Sequence, residues 1–195
     1  MALDVLKGLT PLRKLGAGRE TAGQTTYPIA NGYNTAIGEG DPVKLSAGVI
    51  QLAGNTDACI GSFQGVRYID SNGQLQFTKN FVAATSSKGG IALDGGYTQP
   101  LAFVTDSADQ TYVVRTVDAV SISAGLLGQS FKLSAIGSVV NGRSQAVLDV
   151  AASVGTSGGH MVTIVGLYTG QDSEWGNAPS AVEVKLSNHG IVGEL

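Results

Sequence analysis

Short runs of β-forming residues separated by glycine-containing turns constrain the fold of this chain more than any other feature of its sequence. Residues 66–70 and 74–78 flank Ser71-Asn72-Gly73. Asn-Gly readily adopts the positive φ angles that tight hairpin turns require. A second pair of runs, residues 43–45 and 49–52, flanks Ser46-Ala47-Gly48. The sequence therefore predicts two β-hairpins in its first half.

The same pattern continues to the end of the chain. Further β-type runs lie at residues 111–115, 119–123, 130–134, 146–151, 161–168 and 181–186. Regularly spaced short strands with turn residues between them are typical of β-sandwiches and β-barrels. We therefore expect an all-β fold, a small β-barrel or β-sandwich of tulip or jelly-roll-like form. The motif Lys-Leu-Ser begins at Lys44, Lys132 and Lys185, but its unequal spacing favours strand ends over an internal repeat.

Three regions are predicted along the chain. Residues 88–110 contain two Gly-Gly pairs and little clean alternation, which indicates a boundary. This divides the chain into an N-terminal arm over 1–26, a β-rich lobe over 27–105 and a second sandwich or barrel lobe over 106–195. The alternative is one sandwich with a long crossover.

The first 26 residues differ from the rest in pattern and in charge. Leucine recurs at every third position from Leu3 to Leu15, which would align the leucines along a polyproline II segment. A short helix ending before Pro11 is the alternative. The segment carries a net charge of +2 against −5 for the remainder, since the whole chain carries −3. It is predicted either to pack on its own core as a terminal strand or helix, or to reach a neighbouring subunit.

If the segment is an arm, its apolar and basic side chains are the candidate partner contacts. These are Leu3, Leu6, Lys7, Leu9, Leu12, Arg13, Lys14 and Arg19.

The search for catalytic or ligand-binding motifs predicts no catalytic, cofactor-binding or metal-binding residues. Gly16-Ala17-Gly18 lacks the preceding strand and the third glycine of a dinucleotide loop. Ser144 is followed by a strand rather than the helix of a nucleophile elbow. Cys59 is a lone cysteine in an apolar run, and His160 and His189 are expected in solvated turns. We therefore expect a structural or binding protein and not an enzyme.

Other features are expected to be architectural. Gly38-Glu39-Gly40-Asp41-Pro42 could be a ligand loop, but no helix follows whose N-terminus could hold a phosphate. Pro42 can instead begin a strand, because the first residue of a strand need not donate to the ladder. The aromatic residues fall mostly at strand positions and are predicted to lie in the core. Trp175, in a polar loop, is an interface anchor, a sugar platform or a tucked-in side chain.

Composition excludes several classes of partner. The net charge of −3 argues against binding to duplex nucleic acid. No apolar run approaches the roughly 18 residues that a membrane-spanning helix needs, and the N-terminus lacks the continuous apolar region of a signal peptide. Charged residues make up 14% of the chain, well under the roughly 25% of ordinary soluble domains. A neutral polar surface suits a protein that lies against other proteins, since such groups cost less to desolvate than charges.

Two stretches resemble a known family. The stretch YPIANGYNTAIGEGDPVKLSAGVIQLA resembles the start of small β-rich head decoration proteins of tailed bacteriophages. The stretch GQSFKLSAIGSVVNGRSQAVLDVA, with VTIVGLY and AVEVKLSNH after it, resembles their C-terminal half. Together the stretches cover roughly residues 27–70 and 110–190, and they consist of glycine and strand patterns without catalytic signatures.

The resemblance implies a capsid decoration, or cement, protein. Such a protein binds the outer surface of the phage capsid and links neighbouring capsomers of the major capsid protein. It would be made in the host cytoplasm and located on the virion, as a homotrimer or, alternatively, a dimer, with no cofactor, nucleic acid or membrane partner. The alternative function is a head fibre or a receptor- or glycan-binding virion module.

Overall fold

The computed structural model describes residues 7–15, 23–70, 73–83, 99–117, 120–151, 160–170, 173–191 and 193–194. Sixteen short strands and one 3-10 turn, Ala124–Leu126, are found within these ranges. The fold is therefore all-β, as the spacing of the turn residues predicts.

The strands follow one another closely along the chain. They are β1 (Thr10–Lys14), β2 (Thr25–Pro28), β3 (Pro42–Ser46), β4 (Val49–Leu52), β5 (Gly61–Ile69), β6 (Leu75–Thr78), β7 (Leu101–Thr105), β8 (Gln110–Arg115), β9 (Ser130–Ser134), β10 (Val139–Val140), β11 (Arg143–Ser144), β12 (Val147–Asp149), β13 (Val162–Leu167), β14 (Ala181–Leu186), β15 (Asn188–His189) and β16 (Gly193–Glu194). Both predicted hairpins are confirmed, as β3–β4 and β5–β6.

The first sheet has the strand order β2-β7-β5-β3-β4, and β6 adds to β5. A parallel bridge between Ile29 and Ile50 joins its two ends, so the sheet curls into a barrel, which we call the first barrel. Its interior is one apolar cluster that includes Ile29, Ile50 and Phe63, all fully buried. The closing bridge involves Ile29, just after β2, so it leaves the start of β2 without a partner among the described strands.

The second sheet has the order β1-β8-β14-β13-β9-β12. A parallel bridge between Thr116 and Leu148 joins β8 to β12, which closes the second barrel, and β1 lies outside this ring as a sixth strand. Its core includes Tyr112, Phe131 and Leu148, each fully buried. The change from one barrel to the other falls between β7 and β8, next to the predicted boundary at residues 105 and 106.

The two barrels have the same topology. Each barrel ring has five strands, which we number by their order in the chain: β2, β3, β4, β5 and β7 in the first barrel, and β8, β9, β12, β13 and β14 in the second. In both rings the hydrogen-bonded order is first, fifth, fourth, second, third. The bridge that closes each ring joins the residue after its first strand to a residue of its third strand. The internal equivalence therefore covers every strand of both rings.

The registers agree as well as the order. Leu45 opposes Ile50 in the first barrel, and the equivalent Leu133 opposes Leu148 in the second. A bulge interrupts the fourth strand of each barrel immediately before a glycine, Gly65 in one and Gly166 in the other. A shift of one residue in any pairing would turn a whole strand face from core to solvent. Agreement in all pairings therefore makes the second barrel a structural repeat of the first.

The repeat corrects our interpretation of the Lys-Leu-Ser motif. Lys44 and Lys132 occupy the same position on β3 and β9. The alanine that follows each motif has a positive φ, 50° at Ala47 and 58° at Ala135. Lys185 alone marks an ordinary strand position, on β14. The three spacings are unequal because only the first two motifs lie on equivalent strands.

Some strand predictions were wrong. Residues 120–123 lie outside any strand and lead into the 3-10 turn, whereas β7, at Leu101–Thr105, was missed because it adjoins the glycine-rich region. Phe77, predicted to lie in the core, is 63% exposed. Phe63, Tyr112 and Phe131 are fully buried as expected.

The N-terminal segment also requires a correction. Residues 7–15 do not extend away from the body as an arm: β1 pairs antiparallel with β8, from Thr10 opposite Val113 to Lys14 opposite Gln110. Leu9 is fully buried in the core of the second barrel. Of the alternatives that the sequence left open, the terminal strand is the one found for Thr10–Lys14.

Candidate docking surface

The outer face of the first barrel carries large apolar side chains in solvent. On β6, Leu75 is 57% exposed and Phe77 is 63% exposed, whereas Gln76 and Thr78 between and after them are half-buried. The usual orientation of an amphipathic strand is thus reversed here. Among the described strands, β6 pairs with the C-terminal part of β5.

Neighbouring strands extend this surface. Ile69 of β5 lies opposite Leu75, and Arg67 lies between Phe77 and Leu101 in the ladder. The Phe77 and Phe103 rings are stacked, with centroids 6.4 Å apart and an interplanar angle of 19°. We call Ile69, Leu75, Phe77, Leu101 and Phe103 the apolar patch. Leu75 and Phe77 are its exposed members, the other three are half-buried, and the exposed Arg67 lies among them. Exposed apolar surface that includes aromatic residues is typical of protein interaction sites.

The predicted arm contacts that fall within the described residues do not form a comparable free surface. Lys7 Nζ donates a hydrogen bond to Gln145 Oε1 at 3.0 Å, and Leu9 is buried. Leu12, 38% exposed, lies on β1 together with Arg13 and Lys14. The remaining candidates, Leu3, Leu6 and Arg19, lie outside the described residues.

Arg13 holds β1 to the second barrel through a two-point ion pair. Its Nε and Nη2 donate to Glu183 Oε1 and Oε2, each at 2.8 Å. Arg13 keeps 59% of its side chain exposed, while Glu183 keeps 6%. The hydrogen bond from Arg13 is the main reason that the pKa of Glu183 lies below its usual range. Arg13 thus acts within its own chain, and the sequence had offered it as a partner contact.

A buried polar cluster joins the two barrels. Asp41, at the start of β3, accepts hydrogen bonds from Gly38 N at 2.7 Å and from Ser144 Oγ at 2.5 Å. It also accepts from Gly137 N at 3.3 Å. Burial is the main cause that raises the pKa of Asp41 above its usual value, and these hydrogen bonds oppose it. β3 begins at Pro42, as expected, but Asp41 also connects the first barrel to Ser144 and Gly137 of the second.

A small cavity lies beside this cluster. Glu39 Oε2 lies 3.3 Å from Arg143 Nε and 3.6 Å from Lys79 Nζ. Glu39 and Arg143 line a cavity of about 50 Å³ together with Lys7 and Gln64. A volume of this size holds water rather than an organic substrate. Ser144, fully buried, donates to Asp41, which is a structural role and not that of a solvent-accessible nucleophile.

Cys59 and His189 form a second contact between the barrels. Cys59 N donates to Asn188 O at 3.1 Å, and His189 Nε2 lies 2.9 Å from Asp106 O. His189 is 2% exposed, so the prediction of a solvated turn was wrong for it. Burial raises the pKa of the Cys59 thiol to about 12, so Cys59 stays protonated as an inert core residue. Trp175 packs against the second core.

Two searches of the described residues were negative. No group of three or more His, Cys, Asp or Glu residues is placed to hold a metal ion in those parts of the chain. Within the same residues, no helix is long and apolar enough to cross a membrane.

Comparison with known proteins identifies no relative. No protein-family model matches the chain, and no curated protein or solved structure shows significant similarity to it.

Proposed function

We propose that this chain is a structural virion protein that binds the outer surface of a phage capsid. It holds neighbouring capsomers of the major capsid protein together. The apolar patch is the observation that supports this most directly, because it gives the first barrel a surface suited to a protein partner. The sequence resemblance to head decoration proteins supplies the identity of that partner.

The patch has the composition of a binding surface with a central anchor. Phe77 is the most exposed large apolar side chain in the described residues, at 63%, and its stacking on Phe103 holds it in place at low entropic cost. Aromatic anchors of this kind contribute disproportionately to protein interfaces. Because a shell presents many equivalent sites, modest contacts at each one suffice to stabilise the head.

The test is co-sedimentation of the purified chain with shells assembled from the major capsid protein. We expect the wild-type chain to sediment with the shells, and the double variant Leu75→Ser/Phe77→Ser to remain in the supernatant. Truncating side chains that are already in solvent changes the free energy of unfolding by roughly 0.5 kcal/mol or less. The variant should therefore keep the wild-type melting temperature.

Ile191→Ser is the matched control, since Ile191 is 59% exposed but lies outside the patch. It is expected to bind shells like the wild-type chain. Equal binding by the patch variant and the wild type would refute the patch as the docking surface. Failure of the wild-type chain to sediment with shells would refute the proposed function itself.

The glycan-binding alternative drew on the neutral polar surface and on Trp175 as a sugar platform. Trp175 is half-buried and packs against the second core. No specific observation favours this alternative, and we do not carry it further.

A further inference from the structure

The internal repeat reveals two equivalent strand edges with different environments. Val113 of β8 is equivalent to Thr26 of β2, because Val113 lies opposite Glu183 and Thr26 lies opposite the equivalent residue, Phe103. Two residues earlier in the chain, Thr111 is equivalent to Gln24. In the second barrel, β1 lies along this edge, and every residue of β8 is buried. In the first barrel, Gln24, Thr25 and Thr26 are all exposed, and no described strand lies beyond β2.

The backbone of the β2 edge is oriented to accept a strand. Ile29 N donates to Pro100 O at 2.8 Å, and its equivalent Thr116 N donates to Ser180 O at 2.8 Å. Backbone groups of successive residues in a strand point to alternate sides. The N–H and C=O groups of Gln24 and Thr26 therefore point away from β7, toward the outer side of β2. In the second barrel, the equivalent groups of Thr111 and Val113 point to the same side of β8, which β1 occupies.

The two edges also differ in how they are protected from further pairing. β1, the outermost strand of the second barrel, contains Pro11, a register irregularity after it, and the charged Arg13 and Lys14. Proline, bulges and lysine are the usual means by which edge strands avoid unwanted pairing. Residues 23–26 contain neither proline nor charge, and the proline of β2, Pro28, lies beside the Ile29–Ile50 bridge that closes the barrel. Among the described residues, nothing of this kind protects the start of β2 from pairing.

The side chains next to this edge define what the added strand must carry. In the second barrel, Arg13 of the added strand reaches Glu183. The residue equivalent to Glu183 in the first barrel is Phe103, which stacks on exposed Phe77. An arginine at that position would find an aromatic pair in place of its carboxylate. The arginine of β1 would exchange a two-point ion pair with a carboxylate for at most a cation–π contact. An apolar side chain would instead extend the contact between the two rings, which disfavours β1 of a second copy as the occupant.

We propose that the β2 edge binds an extended segment of the major capsid protein, which adds to the first barrel as an antiparallel strand with an apolar side chain over Phe103. Main-chain hydrogen bonds then provide affinity, and the side chain over Phe103 provides specificity, as in other cases of strand addition. The identity of the strand donor rests on the proposed function. The acceptor property of the edge rests on the repeat alone.

The first test needs no capsid. Hydrogen exchange of the free chain should show fast exchange for the amides of Gln24 and Thr26 and slow exchange for those of Thr111 and Val113, which β1 covers.

A peptide titration followed by NMR tests strand binding directly. The probe is a peptide of residues 7–15 with Arg13→Leu, which should shift the amide resonances of Gln24 and Thr26, while the unmodified peptide shifts them less. Protection of Thr26 equal to that of Val113 in the free chain, or absence of any shift with the Arg13→Leu peptide, would overturn the acceptor edge.

The second test uses assembled shells. Thr26→Pro removes the N–H donor from the edge and places a ring there, so binding to shells should fall at least tenfold. Gln24→Pro, just ahead of β2, is a second blocking variant in case Thr26→Pro impairs folding. Ser121→Pro, at an exposed residue outside any strand, is the control that should bind normally.

The outcomes separate the two proposals. Shell binding by both folded edge variants at the wild-type level would overturn the capsid strand as the occupant. If the wild-type chain itself fails to bind shells, the proposed function and the capsid donor are both overturned. The peptide experiment then decides alone whether the edge accepts strands.

Discussion

Gly65 and Gly166 occupy equivalent positions after the bulges of the two barrels but face different steric limits. Gly65 has φ 152°, and a Cβ there would lie 2.9 Å from Thr78 O, a backbone atom that cannot move freely. At Gly166 a Cβ would meet Glu183 Oε2 at 3.7 Å, an ordinary contact. The addition of β6 to the first barrel is the reason that Gly65 is the more crowded of the two.

We predict that Gly65→Ala destabilises the chain by about 2–3 kcal/mol, since it adds backbone strain to a backbone clash. Gly166→Ala should change the free energy of unfolding by less than about 1 kcal/mol. Urea denaturation of both variants measures the difference. Equal losses in the two variants would contradict the distinction drawn between the two bulges.

At the scale of the elements, β1 is the strand whose position most changes the interpretation of the chain. Leu9 fills the second core, Arg13 pairs with Glu183, and the backbone of β1 covers β8. Leu9 N also donates to Gly40 O at 2.7 Å, and Leu9 O accepts from Ser62 Oγ at 2.6 Å. The start of this strand therefore contacts both barrels.

Removal of residues 1–15 is therefore expected to damage the body rather than only detach an arm. Loss of Leu9 alone should cost about 2–5 kcal/mol, the range for deletion of a buried leucine side chain, and the unpaired β8 edge would promote aggregation. A thermal melt and size-exclusion chromatography of the truncated chain measure both effects. A monomeric truncation with an unchanged melting temperature would contradict the structural role of β1.

At the scale of the whole molecule, Asp41 couples the two barrels. Asp41→Ala would leave the Gly38 and Gly137 amides and the Ser144 hydroxyl without their acceptor. The expected loss is about 2–4 kcal/mol, because buried donors without a partner keep their full desolvation cost. Urea unfolding followed by Trp175 fluorescence and by far-UV circular dichroism measures it.

The stability lost in Asp41→Ala is expected to depend on pH, and the direction follows from the pKa of Asp41. The pKa of Asp41 is raised in the folded chain, so the folded state binds its proton more tightly than the unfolded state does. Binding of this proton contributes to the free energy of unfolding. The contribution is complete below the pKa that Asp41 has in the unfolded chain, and it is lost as the pH rises through the raised pKa of the folded chain. The gap in stability between the wild type and Asp41→Ala should therefore shrink as the pH rises through that window. A gap that widens instead would contradict the assignment.

Much of the fold is readable from local sequence. Alternating β-forming residues around Asn-Gly and Ala-Gly turns predict the hairpins β3–β4 and β5–β6, because turn chemistry and side-chain alternation act over a few residues. The same reasoning missed β7, whose five residues adjoin a glycine-rich region. It also placed Phe77 in the core, because alternation divides a strand into two faces but does not say which face is turned inward.

The sequence by itself determined that the chain is all-β, that its strands are short, and that the Gly-Asp-Pro stretch begins one of them. Only the tertiary structure decided that the strands form two equivalent barrels and that Leu75 and Phe77 face solvent. It also decided that β1 covers one edge while the matching edge has no partner among the described strands. Strand pairing is non-local, and its register is selected by which faces can be buried together. That selection depends on the whole assembled chain, so local pattern alone does not reveal it.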